Sequence, residues 1–379
     1  MISGNKTKRL KLLFCYSADS FGGITRSISH LVEGLAAKGV DCHVMLISAK
    51  GQDSGKPLDA ILELCSFTKL DSEKKLDCKL VRCISNYVKA NDIDVITLHG
   101  YKANLWGLVS RIVKIIPCPM ATILHGWPNI NLKISLYHLL DKFVVRFFDR
   151  IVLVSPAQKL LTQLLMLPKS KLRVIPNGIS SSPSFHRATV LDSFGIPNDS
   201  FVICYAGRLC RKKNIGPLVE AYSLIQNKLP NSILLIVGDG EELDKLTALA
   251  KRIDVRSIKF TGSIPNAREI IAASDIFCSL SKTEGLPNTV LEAMSGGVPC
   301  ILSNIRAHQV LANSSEGVIL VDEVGELADW MVRLHQDNHL KEQLGASAKE
   351  SAQKFFSLQT RIDRFYEMVM ELVGPKRND

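Results

Sequence analysis

Short apolar runs rich in Val, Ile, Leu and Cys alternate along this chain with longer segments in which apolar residues recur every three or four positions. The first pattern is that of a strand buried on both faces and the second that of an amphipathic helix. Their alternation predicts parallel sheets covered by helices. In the first half, strands are expected at Leu10–Tyr16, Asp41–Ser48, Val95–Leu98, Met120–Leu124 and Arg150–Val154. Helices are expected at Thr25–Lys38, with Ile28, Leu31 and Leu35 inward, at Asn104–Val113 and at Leu132–Phe148. Residues 51–70 fit neither pattern, and Gly51, Gly55 and Pro57 among several charges predict a surface loop there.

Around 176–200 the pattern lapses into Pro176-Asn177-Gly178, serines at 180–182, Pro183 and Gly195-Ile196-Pro197, the composition of a connection between domains. Beyond it the alternation resumes, with strands at Phe201–Ala206, Ile233–Val237, Ile258–Thr261, Ile276–Ser279, Cys300–Leu302 and Val318–Val321. Helices close the chain at Glu326–Gln336, Lys341–Lys354 and Leu358–Val373. A single domain usually spans roughly 100–200 residues. The 379 residues therefore predict two α/β domains, 1–185 and 186–357, each with its own core. No unit of fixed period recurs, which excludes a solenoid.

Composition narrows the class. Apolar residues at 46% and charged residues at 22% exclude wholesale disorder and a multispanning membrane protein. The nearest approach to a membrane span, 134–154, is broken by Asp141, Lys142, Arg146, Asp149 and Arg150, so no transmembrane helix is expected. The basic N-terminus has its apolar run interrupted by Lys11 and lacks a small-residue cleavage site, so a cytosolic location is expected. Ten cysteines are scattered without a C-x-x-C pair. Cys15, Cys42, Cys204, Cys278 and Cys300 lie inside strand-like runs and read as buried thiols, not metal ligands or disulfides.

Charge is uneven: residues 1–185 carry a net +12 and residues 186–379 a net −2. The first half therefore suits an anionic partner, whether nucleic acid, an acidic bilayer or a phosphate-bearing substrate. Aromatic residues at 6%, with no recognition-helix, RNP-like or zinc-finger pattern, weigh against nucleic acid.

In doubly wound folds ligands bind beyond the carboxyl ends of the strands, so the residues after each strand carry the candidate chemistry. The first strand leads into Ser20-Phe21-Gly22-Gly23-Ile24, where paired glycines let backbone N–H groups approach an anion, or simply form a tight turn. The G-x-G-x-x-G and G-x-x-x-x-G-K-[ST] fingerprints are absent, which argues against a hydride-transfer enzyme and a P-loop ATPase. His125-Gly126 ends the Met120–Leu124 strand and is a site candidate or a structural histidine; His99-Gly100 repeats the pattern one strand earlier, with nothing else converging on it.

In the second half, Phe201–Ala206 runs into Gly207-Arg208-Leu209 and on to Lys213, placing a guanidinium and an ammonium where a diphosphate could be neutralised without a metal. A solvated basic loop is the other reading. Gly238-Asp239-Gly240 and Gly262-Ser263-Ile264 close two further strands. Glu284-Gly285-Leu286-Pro287-Asn288-Thr289 leads to Glu292. If a helix begins near Asn288, Glu284 lies in the loop before it and Glu292 one turn inside. Two carboxylates that accept hydrogen bonds from sugar and ribose hydroxyls would then flank a helix N-terminus facing phosphate.

Taken together, the Gly22-Gly23 loop, His125-Gly126, Val174-Ile175-Pro176-Asn177-Gly178-Ile179, Gly207-Arg208-Leu209 with Lys213, Gly238-Asp239-Gly240 and Glu284–Glu292 resemble the retaining nucleotide-sugar glycosyltransferases of family 4, over nearly the whole chain. The resemblance implies a GT-B fold: two doubly wound Rossmann-like domains facing across a cleft, 1–185 for the acceptor and 186–357 for the nucleotide sugar, with helix 358–373 packing back onto the first. It implies that the Gly23 amide, Arg208 and Lys213 hold the donor diphosphate, that Glu292 takes the ribose and that Glu284 contacts the donor sugar. Ile264 would lie near the base, His125 would approach the transferred sugar, and the backbone N–H groups of Gly285, Leu286, Asn288 and Thr289 would complete the pocket. Pro287 departs from the glycine common in the family. No metal or other cofactor is expected.

The resemblance further implies a hexose or N-acetylhexosamine transferred with retention from a nucleotide sugar, UDP-linked by family weight, to a saccharide acceptor. Segment 132–150 places Leu132, Leu136, Leu139, Leu140, Phe143, Val144, Phe147 and Phe148 on one face with Lys133, Lys142, Arg146 and Arg150 largely elsewhere. Such a helix either lies in an anionic membrane interface, serving a lipid-linked acceptor of polysaccharide or lipopolysaccharide assembly from the inner leaflet, or packs its stripe on the sheet. A GT-B-like sugar-nucleotide 2-epimerase and a basic nucleic-acid-binding protein are the alternatives.

Overall fold

The structure, a computed structural model, describes residues 9–17, 23–49, 61–72, 78–113, 116–125, 139–159, 166–181, 184–264 and 267–374. It divides into two compact units, Met1–Asn177 with Gln359–Asp379, and Gly178–Leu358.

The first unit is built on seven parallel strands, β1 (Lys11–Ser17), β2 (Asp41–Ala49), β3 (Cys65–Ser72), β4 (Val95–His99), β5 (Met120–Leu124), β6 (Arg150–Leu153) and β7 (Leu172–Val174), in the order β3-β2-β1-β4-β5-β6-β7. Leu12 to Tyr16 of β1 are all fully buried, as a strand covered on both faces requires. The loop expected over 51–70 is corrected over its last part, because Cys65–Ser72 pairs with β2 from Cys42↔Cys65 to Ala49↔Ser72. Its sequence CSFTKLDS is polar because β3 is an edge strand with half-exposed side chains. Residues 51–60 lie outside the described residues.

Segment 139–148 also differs from expectation. The helix continues only to residue 144, followed by a 3₁₀ turn at Val145–Phe147; residues 126–138 lie outside the described residues. The apolar stripe is split. Val144, Val145 and Phe148 enter the core, whereas Leu139, Leu140, Phe143 and Phe147 are 62%, 46%, 55% and 44% exposed. The buried side includes a carboxylate, Asp141, which accepts from Asn104 Nδ2 at 2.7 Å, while Asn104 Oδ1 accepts from Thr122 Oγ1 at 2.7 Å. That hydrogen-bonded chain makes a buried aspartate tolerable and fixes which face turns inward.

The C-terminal helix Leu358–Val373 buries Arg361, Ile362, Phe365, Met368 and Val369. Phe365 stacks on Phe14 with centroids 6.1 Å apart, and Ile362 fills the space that a side chain at Gly34 would occupy.

The second unit holds six parallel strands, β8 (Phe201–Ala206), β9 (Ser232–Val237), β10 (Ile258–Phe260), β11 (Ile276–Ser279), β12 (Cys300–Ser303) and β13 (Val318–Val321), in the order β10-β9-β8-β11-β12-β13. Alternate residues of β8 enter opposite cores, Ile203 and Tyr205 one, Val202, Cys204 and Ala206 the other, which is why the strand reads as an unbroken apolar run. Part of the expected connection belongs to this unit. Arg187, opening a helix to Ser193, donates to Ala273 O and Ser200 O, each at 3.0 Å, and to Asp275 Oδ2 at 2.8 Å.

Candidate active site

In the second unit the strand order reverses between β8 and β11, the position where a doubly wound sheet opens a crevice at its carboxyl edge. Gly207 and Arg208 leave β8 there, Arg208 exposed and its carbonyl accepting from Tyr205 Oη at 3.1 Å. A 3₁₀ turn at Arg211–Lys213 follows, ended by Asn214 in the left-handed region at φ 52°. The loops after β8 and β11 are tied by Lys282 N donating to Lys212 O at 2.9 Å.

Across that tie Lys213 Nζ pairs with Glu284 Oε1. Ser281 Oγ donates to the same carboxylate oxygen at 2.9 Å. Burial alone would raise the Glu284 pKa, but Lys213, Ser281 and Lys212 outweigh it and hold it below the usual carboxylate range. Behind Ser281, its carbonyl accepts from Ser303 Oγ at 2.6 Å, and His308 Nδ1 lies 2.8 Å from Ser303 O. Burial lowers the His308 pKa and keeps the ring neutral. Ser281 and His308 escape a motif-based reading, since only the parallel register of β11 and β12 sets their loops side by side.

The helix Asn288–Gly296 starts directly after Pro287, whose carbonyl accepts from Leu291 N at 3.2 Å. The N–H groups of Asn288 and Thr289 therefore precede the helical ladder and are free of its bonding, and the positive end of the helix dipole points the same way. Gly285 and Leu286 lie in the preceding loop, Leu286 buried; Glu292 sits one turn inside the helix, 2% exposed. At the neighbouring strand ends Gly238 N donates to Gly262 O at 2.9 Å, and Ile264 packs half-buried beside this bridge. A Cβ at Gly238, where φ is +133°, would be driven into the Gly207 carbonyl oxygen, so glycine is required for the loops to approach.

The first unit carries the other two candidates. Gly23 opens the helix Gly23–Ala37; Gly22 and Gly126 lie outside the described residues. His125 follows β5 directly, and His99 ends the adjacent strand β4. Their rings stack with centroids 5.4 Å apart, His99 Nδ1 lying 3.2 Å from His125 Nε2. Burial, with the Arg361 cation second, pushes the His125 pKa down to about 3. His99 is lowered well below its ordinary value by burial, His125 and Arg361. Both rings are neutral at neutral pH. His99 is thus the direct neighbour of the candidate His125; two His-Gly pairs ending adjacent strands were the available signal.

Two family profiles divide the chain between them: Glycosyltransferase Family 4 matches residues 21–182 and Glycosyl transferases group 1 matches residues 187–351. The UDP-Gal:alpha-D-GlcNAc-diphosphoundecaprenol alpha-1,3-galactosyltransferase of Escherichia coli is 26% identical over 318 residues, 79% of this chain and 81% of the relative. The alpha-monoglucosyldiacylglycerol synthase of Acholeplasma laidlawii is 23% identical over 88% of this chain and 89% of the relative. Among solved structures, Anabaena HepE in complex with UDP and glucose superposes with a TM-score of 0.83 at 18% identity, covering 96% of this chain and 100% of that one.

Proposed function

Because the chain belongs to the family 4 glycosyltransferases and has their GT-B fold, we propose that it moves a hexose or N-acetylhexosamine, with retention at the anomeric carbon, from a UDP-sugar to a lipid-linked saccharide in lipopolysaccharide or surface-polysaccharide assembly. The carrying observation is the Lys213–Glu284 pair at the β8/β11 reversal, a cation and an ionised carboxylate side by side where a sugar diphosphate would lie. A UDP-linked donor is supported by the names of the Escherichia coli relative and the HepE complex.

In this reaction the bond from C1 of the donor sugar to the diphosphate oxygen breaks, and an acceptor hydroxyl oxygen bonds to C1 on the same face. The hydroxyl proton passes to the departing phosphate oxygen, so no covalent nucleophile is needed. Arg208, Lys213 and the N–H groups of Gly285, Leu286, Asn288 and Thr289 stabilise the charge growing on the diphosphate, work that a preorganised site does without reorganising. The two cations supply charge that other enzymes draw from a metal. Glu284 accepts from donor-sugar hydroxyls, and its low pKa keeps it an acceptor; Glu292 takes the ribose and Ile264 lies against the base. Gly23 offers an amide to the diphosphate, and neutral His125 hydrogen-bonds the transferred sugar.

A lipid-linked acceptor is supported by the diphosphoundecaprenol and diacylglycerol in the two relatives' names. It is supported too by Leu139, Leu140, Phe143 and Phe147, exposed beside Lys142 and Arg146 in a chain segment of net +12. No helix among the described residues is long and apolar enough to cross a membrane. We place the enzyme peripherally on the inner leaflet of the cytoplasmic membrane, held by this patch and by anionic lipid.

Thermal shifts with a panel of nucleotides and nucleotide sugars test the donor site, because a ligand bound only by the folded state raises the melting temperature. UDP and one UDP-sugar are expected to stabilise the wild type and to lose the effect in Glu292→Ala and Arg208→Ala. Absence of any nucleotide shift in folded wild-type protein overturns the reading.

A further inference from the structure

The two carboxylate oxygens of Glu284 are bonded differently. Oε1 accepts from Ser281 Oγ at 2.9 Å and pairs with Lys213 Nζ, whereas Oε2 has no partner among the described residues. Which oxygen is left to a ligand therefore depends on whatever holds Ser281 and its loop in place.

That loop is held from behind by a chain of directed hydrogen bonds. Ser281 is fully buried, and its hydroxyl gives its hydrogen to Glu284, so the hydroxyl of Ser279, 3.4 Å away, can only donate to it. The Ser281 carbonyl accepts from Ser303 Oγ at 2.6 Å. With the Ser303 hydrogen committed there, both Ser303 oxygens are acceptors toward His308 Nδ1, which lies 2.8 Å from the carbonyl and 3.2 Å from the hydroxyl. Nδ1 must then carry the proton of the neutral ring, leaving Nε2 as a bare lone pair. His308 is fully buried on the helix Arg306–Ala312, and its Nε2 has no partner among the described residues. An aliphatic side chain would fill that interior without an unpaired nitrogen, so packing alone does not call for an imidazole there; the Nδ1 proton does.

We propose that His308 is a positioning residue: through Ser303 and Ser281 it fixes the Glu284 carboxylate with Oε1 occupied and Oε2 left open for the donor sugar. On the transferase reading, on which this part rests, the chain acts on the sugar and not on the nucleotide, because Glu284 meets the sugar while Arg208 and Glu292 meet the diphosphate and the ribose. The next residue of the loop is pinned separately, by Lys282 N to Lys212 O at 2.9 Å. Loss of His308 therefore loosens Ser281 and Glu284 without releasing the turn at Arg211–Lys213.

Titration calorimetry with UDP, UDP-glucose, UDP-galactose and UDP-N-acetylglucosamine, on the full-length wild type, His308→Leu, Ser303→Ala, the double variant and His308→Asn, separates positioning from structural support. For the UDP-sugar that the wild type binds most tightly, affinity is expected to fall about tenfold in His308→Leu and in Ser303→Ala, the scale of one hydrogen bond to an ionised group, while UDP itself stays within about twofold. The double variant is expected to bind no more weakly than the worse single one, because both changes cut one chain. His308→Asn, whose amide places a donor where Nδ1 stood, is expected to recover most of the loss. UDP and UDP-sugar weakened by the same factor, or wild-type UDP-sugar affinity in His308→Leu, overturn the proposal. A second measurement needs no nucleotide. The NMR signal of the Glu284 carboxyl carbon at pH 7, assigned by its disappearance in Glu284→Gln, is expected to move in His308→Leu and Ser303→Ala and to return in His308→Asn. A signal unmoved by His308→Leu, or moved as far by His308→Asn, overturns the positioning role. A wild type that binds no UDP compound counts against the donor reading, and the Glu284 signal then decides the positioning role by itself.

Discussion

Lys213 and Glu284, 71 residues apart in sequence, form an ion pair that joins the loops on either side of the strand-order reversal in the second unit. Their side chains are 16% and 12% exposed, so each neutralises a charge that water reaches poorly. Lys213→Met would strand the carboxylate and is expected to cost about 3 kcal/mol in urea denaturation. Adding Glu284→Gln should restore most of that stability, while neither the single nor the double variant binds UDP-sugar with wild-type affinity. Wild-type stability in Lys213→Met would show that the pair contributes little to folding.

Stability should fall as the solution is acidified from pH 7. His99, His125 and His308 all have lowered pKa values in the folded protein, so they stay neutral there while the unfolded chain takes up protons below about pH 6.5. Each can cost up to about 1.4 kcal/mol per pH unit from that point down to its folded value. Glu284, also lowered, adds its loss only near pH 4 and below, as the pH drops through its folded pKa. Urea midpoints measured from pH 7 to 5 should decline, and His308→Gln should make the decline shallower.

Two glycines at strand ends should respond differently to alanine. Gly262 has φ +70° with open space around a new Cβ, so Gly262→Ala should cost about 1 kcal/mol of backbone strain. At Gly238 the same change also collides with the Gly207 carbonyl and should cost about 3 kcal/mol, displacing Arg208 and weakening nucleotide binding. Denaturation and UDP titration of the two variants provide the comparison.

The exposed apolar residues after 138 give a membrane prediction independent of catalysis. Leu139→Ser with Phe143→Ser should leave the melting temperature within about a degree, because both side chains are largely in water already. Flotation with anionic liposomes should fall more than tenfold, since each apolar side chain fully buried in lipid is worth about 1.5–3 kcal/mol. Flotation equal to wild type would remove this patch from membrane binding.

The central strands were legible because burial on both faces leaves an uninterrupted apolar run. Cys65–Ser72 was not, because an edge strand mixes polar side chains into its ladder. The face of segment 139–148 was misjudged for a related reason. The inward side carries Asp141, which hydropathy rejects and which a hydrogen bond from Asn104, on a distant helix, helps to make acceptable. In the candidate site, Lys213 and Glu284 declared themselves through spacing and residue type. Ser281 and His308 did not, since their meaning arises when parallel register brings them beside residues far away in sequence.

The pairing of Ile179 with Ser357, closed by Ile179 N to Phe356 O at 2.8 Å and Leu358 N to Ile179 O at 2.9 Å, has a consequence for biosynthesis. The chain enters and leaves its second half at adjoining points, so that half is one unbroken insertion, made in full before the helix Leu358–Val373 that the first half still lacks. The half that begins first finishes last. Phe365 and Ile362, which complete its interior against Phe14 and Gly34, are synthesised only after the whole second half, so the nascent N-terminal half must wait for the helix that carries them.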